Sequence, residues 1–569
     1  MSIEQQHSRT GWQRLFLVIT TTLAAFLTVP ATTLAQSEVQ DENSDRILEE
    51  VIVTATRREE SLMEVPIAVS AFTGSELQDF GVLDITYISQ MSPNTTLKVS
   101  RGTNTTLTAF IRGVGQQDPV AGFESGVGLY LDDVYLNRPQ AAVMDIYDVE
   151  RIEVLRGPQG TLYGRNTIGG AIKYVTKRLN ADSPEVKARF SYGTDNMLDA
   201  TLTGSSPIGD SFRIGGSIAS FNRDGFGDNL YLDGVENYNK KSLGARISAE
   251  WEPNEDWFLR FAADYVEDDS DPRQGHRLVP ANISGNPVLK NVFDTESGLN
   301  TPTQSVEAQG WSLLAEWNAS DLITFKNILA YRDDESWTPI DFDSLPAPDL
   351  DVPALYENDQ FSEELQMLFT ADNWTGLLGF YYLDANAHTA FDVILGQLGA
   401  AIGLPGLNAY TEGEVNAKTW SISGDFTYAF TDQGSLSLGG RYTEDKRSST
   451  VLRETKIGGS SPLFGGTAIP IATTSDFDGS ETFTKFTPRV VLDWTPNDDH
   501  LVYGSYSEGF KGGSFDPRGL TTAAPDLDGD GVVSEEEVFD YMKFDPETVK
   551  SLEFGWKATL AQGRMTSKL

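Results

Sequence analysis

A run of acidic residues near the end of the sequence has the spacing of a calcium-binding loop. Residues 526–537 read DLDGDGVVSEEE and fit the pattern DxDxDGx5E without a gap, with Gly531 making the sharp turn. The predicted ligands are the side chains of Asp526, Asp528, Asp530, Ser534 (through water) and Glu537, together with the carbonyl of Val532. The sequence therefore predicts a structural calcium ion, and the alternative is an acidic loop held by Asx turns.

The helix after this loop is better supported than the helix before it. Val538, Phe539 and Met542 indicate an exit helix, whereas residues 521–525 (TTAAP) make a poor entry helix. We therefore expect half of a helix–loop–helix motif, which stiffens a long extracellular loop.

The sequence carries no recognisable catalytic constellation. After residue 35 its histidines are His276, His388 and His500, and each stands alone. The GxSxG and HExxH motifs are absent. The chain has no cysteine, which excludes thiolate metal sites and catalytic thiols. We expect no enzyme and no catalytic cofactor.

The charge balance argues against one class of partner. The chain has 83 acidic and 43 basic residues, a net charge of −40. Nucleic-acid binding needs Lys and Arg to neutralise phosphates, so we expect no nucleic acid as a partner. Such a surface attracts divalent cations instead.

The N-terminus has the features of an export signal. Arg9 and Arg14 precede an apolar run at 15–29, and residues 33–35 (TLA) fit a small-residue cleavage site. The run is too short to cross a bilayer comfortably, and no other stretch approaches the length of a transmembrane helix. We therefore predict a signal peptide at 1–35.

Residues 149–176 combine two β-type runs with a dense group of glycines. The segment reads VERIEVLRGPQGTLYGRNTIGGAIKYVT, and its glycines are Gly157, Gly160, Gly164, Gly169 and Gly170. Such a backbone turns repeatedly. A phosphate cradle is disfavoured, because no Gly-Lys-Ser/Thr follows and no GxGxxG spacing appears. The simplest alternative is an ordinary glycine-rich hairpin loop.

A compact β-branched hexapeptide lies between charged flanks near the start of the exported chain. Its residues are Val51, Ile52, Val53, Thr54, Ala55 and Thr56. One interpretation is a buried first strand. The other, which we favour, is an exposed strand with which a partner pairs main chain to main chain.

After residue 184 the pattern changes to alternation with period two. In 420–430, aromatic and aliphatic residues alternate with polar ones. Short aromatic-flanked turns at 251–257, 317–322 and 494–500 alternate with long polar segments. We interpret the polar segments at 266–305, 333–358, 385–418, 448–482 and 512–546 as loops. This asymmetry favours a lipid-facing barrel over a soluble sandwich with one wet face.

Several segments resemble TonB-dependent outer-membrane receptors. Residues 51–56 resemble the TonB box. The segments that resemble the plug domain are 111–115 (IRGVG), 127–135 (VGLYLDDVY) and 149–176. Those that resemble the barrel strands are 436–446, 487–494, 503–513 and 545–557. The resemblance implies an all-β transmembrane β-barrel with an N-terminal α+β plug domain inside the lumen. The predicted domains are a signal peptide at 1–35, a periplasmic segment at 36–59, the plug at 60–180 and the barrel at 181–569.

The resemblance also draws attention to particular plug residues. They are the five glycines named above together with Arg112, Gly113 and Arg156. We interpret the arginines as buried groups that either pair with carboxylates of the barrel wall or act directly in gating.

The predicted barrel segment is short for a complete barrel of this kind. Plugged outer-membrane transporters have about 22 strands. Residues 184–569 have room for only about 14–16 strands at ~10 residues each. From this we predict a fragment or an early stop.

The resemblance implies import of a scarce ligand, with a ferric siderophore favoured. The implied partners are the TonB–ExbB–ExbD energising complex through 51–56, and outer-membrane lipid. The alternative ligands are an oligosaccharide, a polyphenol, cobalamin or haem. A passive porin is disfavoured because porins lack a plug, and a signalling receptor because it would need a further periplasmic domain before residue 51.

Overall fold

The computed structural model describes residues 50–100, 103–145 and 147–569. The predicted signal peptide and residues 36–49 lie outside the described residues. The described chain forms a small mixed region up to residue 176, followed by one large antiparallel sheet.

The small region contains ten strands and two short α-helices. A capping box between Thr73 and Glu76 begins the first helix, because each residue's side chain accepts a backbone hydrogen bond from the other. Strands β3, β9, β10, β7 and β8, in that order, form a mixed sheet, and β4, β5 and β6 form a second one. The elements are Ile52–Val53 (β1), Glu60–Ser61 (β2), Val69–Thr73 (β3), Gly74–Asp79 (α1), Ile88–Met91 (α2), Thr95–Val99 (β4), Leu107–Ile111 (β5), Val114–Gln116 (β6), Val127–Leu131 (β7), Val134–Leu136 (β8), Val149–Arg156 (β9) and Gly170–Thr176 (β10).

This region has its own hydrophobic core. Leu77 of α1 packs with Ile85 and Ile88, and Ile152 of β9 packs with Ile172 of β10. All five side chains are fully buried or nearly so. The region therefore has an apolar core that does not depend on contacts with the large sheet.

The large sheet contains fifteen antiparallel strands, each paired with its neighbours along the chain. This number falls within the predicted 14–16. Four further short strands lie outside this sheet and form two hairpins in the loops. Gly227–Asp228 (β14) pairs with Glu236–Asn237 (β15), and Ser514–Phe515 (β26) pairs with Lys543–Phe544 (β27). The elements are Glu185–Tyr192 (β11), Leu198–Ile208 (β12), Phe212–Arg223 (β13), Gly227–Asp228 (β14), Glu236–Asn237 (β15), Lys240–Asn254 (β16), Trp257–Asp268 (β17), Ser305–Ser320 (β18), Ile323–Asp341 (β19), Asp351–Ala371 (β20), Trp374–Phe391 (β21), Gly396–Ala401 (α3), Asn408–Thr431 (β22), Gly434–Ile457 (β23), Ile469–Asn497 (β24), His500–Lys511 (β25), Ser514–Phe515 (β26), Glu535–Met542 (α4), Lys543–Phe544 (β27), Glu547–Leu560 (β28) and Met565–Lys568 (β29).

The two faces of the sheet differ as the alternation predicts. On β22 the Ile422 side chain is 57% exposed, whereas the neighbouring Ser421 is 1% exposed. On β16, Arg246, Ser248 and Glu250 are buried. Apolar side chains therefore cover the outer face and polar ones the inner face, as a lipid-facing sheet requires. Separately, no helix within the described residues is long and apolar enough to cross a membrane.

Aromatic side chains line the short turns. Trp257 stacks on Trp317 with ring centroids 5.5 Å apart. Trp374 stacks on Tyr428 at 4.4 Å. These pairs join neighbouring strands at one rim, where amphipathic rings suit a membrane–water interface.

The predicted long segments are only partly loops. The clearest error is 333–358, where β19 continues to Asp341 and β20 begins at Asp351, which leaves a loop of residues 342–350. The segments 385–418 and 448–482 also shrink, to 392–407 and 458–468. The polar composition was misleading because these strands are longer than a bilayer needs, so their outer parts can be polar on both faces.

The small region contacts the inner face of the large sheet at widely separated strands. The Asn104 side chain donates to the carbonyl of Ser270 at 3.0 Å, and Thr161 donates to that of Thr487 at 2.8 Å. The Gln360 amide of β20 donates to the carbonyl of Tyr135 at 2.6 Å. The small region therefore occupies the space that the curved sheet encloses.

Candidate functional site

The hexapeptide at 51–56 is docked against the small region. Ile52 pairs with Ser61 and Val53 with Glu60 in a two-stranded ladder. Val53 and Ala55 are fully buried, in a cluster that contains Leu155. This differs from the exposed strand that we favoured, because alternate side chains find an apolar surface to cover. Ile52 itself remains exposed.

Polar contacts hold the same segment through Thr54. Its backbone N–H donates to Glu153 Oε1 at 3.0 Å. Its carbonyl accepts from the Tyr163 hydroxyl at 3.0 Å and from Lys173 Nζ at 3.2 Å. Glu153 and Lys173 are almost wholly buried, so these charged groups serve the docked segment rather than solvent.

The next charged residue links the segment to the large sheet. The Arg57 guanidinium lies 3.4 Å from Asp133 and 3.5 Å from Glu364 of β20. Asp133 also pairs with Lys173 at 2.9 Å and with Lys326 of β19 at 3.4 Å. Burial alone would raise the pKa of Asp133, but Lys173, Lys326 and Arg57 hold it well below its usual range. A charged network therefore connects three parts of the fold.

The glycine-rich segment runs directly against the inner wall. A Cβ at Gly160 would lie 2.5 Å from the carbonyl oxygen of Glu508, so only glycine permits this approach. Beside it the N–H of Asn166 donates to the carbonyl of Phe510 at 2.9 Å. A Cβ at Gly170 would likewise lie 2.1 Å from the carbonyl oxygen of Leu155, within the sheet of the small region itself. The other predicted glycines differ: Gly164 faces Arg441 of the wall, Gly157 faces Arg112, Gly169 lies against Val114 of the plug, and Gly113 has open space beside it.

A second buried network anchors this segment, and the sequence did not reveal it. Glu124 pairs with Arg447 of β23, and its other carboxylate oxygen accepts from Asn166 at 2.6 Å. Arg165 lies 3.5 Å from Glu124, and Asp445 lies 3.1 Å from Arg447. Burial would raise the pKa of Glu124, but Arg447, Arg165 and Arg138 lower it to about 2. The small region is thus held to the wall by paired buried charges.

The two predicted arginines behave differently from each other. Arg112 pairs with Glu553 of β28 at 2.7 Å, which agrees with pairing to the wall. Its side chain is 37% exposed, so the expectation of a buried arginine is wrong there. Arg156 is half-buried and donates to the carbonyl of Pro93 at 3.5 Å. It forms no ion pair with any described residue. The short turn at 112–113 leaves Arg112 open to solvent, whereas β9 carries Arg156 inward.

The predicted calcium loop has the expected shape. Carboxylate oxygens of Asp526, Asp528 and Asp530 lie within 4.8 Å of one another, and Gly531 has a φ of +89°. Glu537 lies in the first turn of α4, and its carboxylate accepts from the N–H groups of Leu527 and Ser534. The three aspartate carboxylates therefore converge, as a calcium loop requires, while Glu537 bonds to backbone N–H groups of the same loop. The predicted exit helix is α4, and a short 3₁₀ turn, Thr521–Ala523, stands in place of an entry helix.

Val532 and Ser534 complete the predicted ligand set. Val532 follows the turn at Gly531. Its side chain is exposed, and its predicted ligand atom is the backbone carbonyl oxygen. Ser534 is the N-cap of α4, and its hydroxyl bonds to the Glu537 carboxylate. All six predicted ligands therefore belong to one continuous loop and the first turn of its helix.

Two family descriptions match consecutive parts of the chain. The TonB-dependent Receptor Plug Domain matches residues 61–171, and the TonB dependent receptor-like β-barrel matches residues 177–569. The chain belongs to the TonB-dependent receptors. The small region is therefore the plug of this receptor, and the large sheet is its barrel wall. Membership of the family places the receptor in the outer membrane of Gram-negative bacteria.

Known proteins similar to this receptor are named as receptors or transporters. The ferrioxamine receptor of Yersinia enterocolitica is 25% identical over 289 residues, which cover 50% of this chain and 37% of that protein. The vitamin B12 transporter of Vibrio vulnificus is 23% identical over 237 residues, which cover 42% of this chain and 37% of that protein. The receptor described here thus spans little more than a third of either curated relative.

A solved structure supports the same fold. The ferric yersiniabactin uptake receptor of Yersinia pestis superposes with a TM-score of 0.67 at 18% identity. The superposition covers 87% of this receptor and 70% of that chain. The plug-and-wall arrangement is therefore shared although most side chains differ. None of these three proteins is named as an enzyme.

A cavity lies between the plug of this receptor and its wall. Its lining includes Arg138 of the plug, Arg246 of β16, Asp264 of β17, and Arg332 and Asp334 of β19. Charged groups of both signs therefore face the space between the two parts. Apolar side chains such as Leu136 and Val266 line the same space.

Proposed function

We propose that this receptor imports a ferric siderophore and that the TonB–ExbB–ExbD complex energises the step through residues 51–56. The observation that carries this proposal is the docking of Thr54. Apart from a local bond from the Arg57 N–H, its hydrogen-bond partners are Glu153, Tyr163 and Lys173, which all belong to the plug. Any plug movement that separates these partners weakens the hold on the segment and offers its strand edge to a partner.

The ligand class rests on similarity and on the cavity. A relative named for ferrioxamine and a structural neighbour named for ferric yersiniabactin uptake both handle iron-bound ligands. The cavity between plug and wall combines apolar side chains with a few charged groups, a mixture that can hold and orient a small ligand. The relative that transports vitamin B12 makes cobalamin the second candidate.

Uptake in cells separates these ligands. Cells in which this receptor is the only outer-membrane route are supplied with radioactive iron on a panel of siderophores, or with radioactive cobalt in cobalamin. We expect iron to accumulate for at least one siderophore, and only while TonB is present. Accumulation of cobalamin alone would assign the receptor to the second candidate. Iron uptake without TonB would overturn the energised mechanism.

We also propose that the loop at 526–537 binds calcium with a structural role. Its acidic side chains converge, yet their only hydrogen bonds within the described residues are to amides and a hydroxyl of the same loop. Binding would replace mutual repulsion with shared coordination. The loop would then become more rigid where it meets the helix α4.

A further inference from the structure

A second group of carboxylates lies at the outer ends of two neighbouring strands. Asp341 is the last residue of β19, and Asp351 is the first of β20. The two are direct cross-strand partners, and Asp343 lies in the loop that joins them. One carboxylate oxygen from each of the three lies within 4.8 Å of the other two. Like charges placed directly opposite each other destabilise a strand pair, so this arrangement needs compensation.

The first two carboxylates are partly satisfied by the protein. Asp341 accepts from the N–H of Ser344 at 2.6 Å and from the hydroxyl of Ser297 at 2.5 Å. Asp343 accepts from the N–H groups of Leu345 and Asp349 at 2.8 and 2.7 Å. These bonds fix the direction of both side chains, but they do not cancel the charge.

Asp351 is the exception. Its side chain is 4% exposed, and its Oδ1 atom has no hydrogen-bond partner among the described residues. None of the three aspartates forms an ion pair with a described lysine, arginine or histidine. Burying a carboxylate without a partner is unfavourable, because the charged form loses its hydration and gains no contact in return. A cation that coordinates Oδ1 would supply the missing partner.

We propose that Asp341, Asp343 and Asp351 bind a calcium ion. The donors are all hard oxygen atoms, which calcium and magnesium prefer. Two oxygens that each lie about 2.4 Å from one ion are at most about 4.8 Å apart, and the oxygens of this group lie within that limit of one another. Ligands drawn from two strand ends and the loop between them suit the adaptable coordination of calcium better than the near-ideal octahedron that magnesium demands.

The position of the site gives it a consequence for the plug. Ser297 ties Asp341 to the loop at 269–304, and Ile394 bridges to the backbone of Asp351 from the loop at 392–407. Ile340 and Val352, the neighbours of the two aspartates, pack against Val120 of the plug. The ion would therefore join three outer loops directly above a contact between plug and wall. This site is separate from residues 526–537 and does not depend on the proposed ligand.

Calorimetry on the full chain in detergent tests the assignment. Stripped protein is titrated with calcium chloride in an Asp528→Ala background, which removes the other acidic loop from consideration. We expect one calcium site in this background and in Asp528→Ala/Asp349→Asn, because the Asp349 side chain is outside the group. We expect no site in Asp528→Ala/Asp351→Asn. Calcium binding that survives Asp351→Asn, or tighter binding of magnesium than of calcium, would overturn the proposal.

Thermal unfolding separates an ion site from an acidic cluster with no ligand. In EDTA, Asp351→Asn removes a buried like charge and should raise Tm. In calcium, the same change removes a ligand and should lower Tm relative to the parent. A shift of the same sign in both buffers would contradict the proposal. The measurement in EDTA also shows directly whether the variant folds.

Discussion

Tyr163 donates its phenolic hydrogen to the carbonyl of Thr54 at 3.0 Å, across 109 residues of sequence. Tyr163 belongs to the glycine-rich segment of the plug, whose Asn166 bonds to Phe510 of the barrel wall. One short segment of the plug thus contacts both the wall and the segment proposed to bind TonB. A displacement at the wall has a direct physical route to residues 51–56.

Replacing Tyr163 by phenylalanine should loosen the docked segment. The change removes one hydrogen bond, whose net value is about 1 kcal/mol, and leaves the ring in place. The undocked population should rise about fivefold. A spin label at Glu50→Cys measures this cleanly, because the chain has no other cysteine. Tyr174→Phe is the matched control, since Tyr174 donates to Asp145 and Tyr147 instead. Equal label mobility in both variants would argue against the route.

Replacing Ile52 by proline should abolish uptake and leave ligand binding intact. Proline removes a ladder donor that a partner strand would use, while the exposed Ile52 side chain contributes little to the plug core. Uptake and equilibrium binding of the labelled ligand are measured on the same cells, with Ile52→Ala as the control. If binding is lost together with uptake, the segment has a structural role instead.

Calcium should protect the loop at 512–546 from proteolysis. Bound ion would order the carboxylates of Asp526, Asp528 and Asp530, and a rigid loop is a poor protease substrate. Cleavage is followed by mass spectrometry with calcium or EDTA. Asp528→Ala should be cleaved at one rate in both, whereas Glu536→Ala, which changes a residue outside the ligand set, should keep the protection. Equal cleavage of the parent chain in both buffers would refute calcium binding here.

Replacing Glu124 by glutamine should weaken the hold of the wall on the plug. The pKa of Glu124 falls from an ordinary 4.5 to about 2 in the folded state. Its ionisation therefore stabilises the fold above pH ~4.5, and this stabilisation is lost as the pH falls toward 2. The shift corresponds to about 3 kcal/mol.

A dye on Lys98→Cys reports plug unfolding in urea. At neutral pH, Glu124→Gln should lower the midpoint, because the buried Arg447 and Arg165 lose one of their two counter-charges and keep only Asp445. The difference from the parent should shrink between pH 4.5 and 2. Glu59→Gln makes the same chemical change at an exposed position and should have no effect. A difference that is constant across this pH range would mean that the Glu124 charge is not the cause.

The sequence predicted those features that depend on a local period. Alternation at 420–430 placed Ile422 and Ser421 on opposite faces, and the spacing at 526–537 identified converging carboxylates. The sequence did not predict interactions between residues that are far apart along the chain. Glu124 and Arg447 are 323 residues apart, so neither signals the other in a single sequence. Arg57 was read only as part of a charged flank for the same reason, since Glu364 lies on β20.

The length of the strands has one more consequence. Strand β24 contains 29 residues, and the two strands before it, β22 and β23, contain 24 each. At a rise of about 3.3 Å per residue and a tilt near 40°, β24 spans roughly 70 Å along the membrane normal. The apolar band of a barrel of this kind is only about 25 Å tall. If the aromatic rim marks the inner water boundary, the wall extends roughly 40 Å into the medium. A dissolved molecule therefore first meets this protein far from the lipid surface.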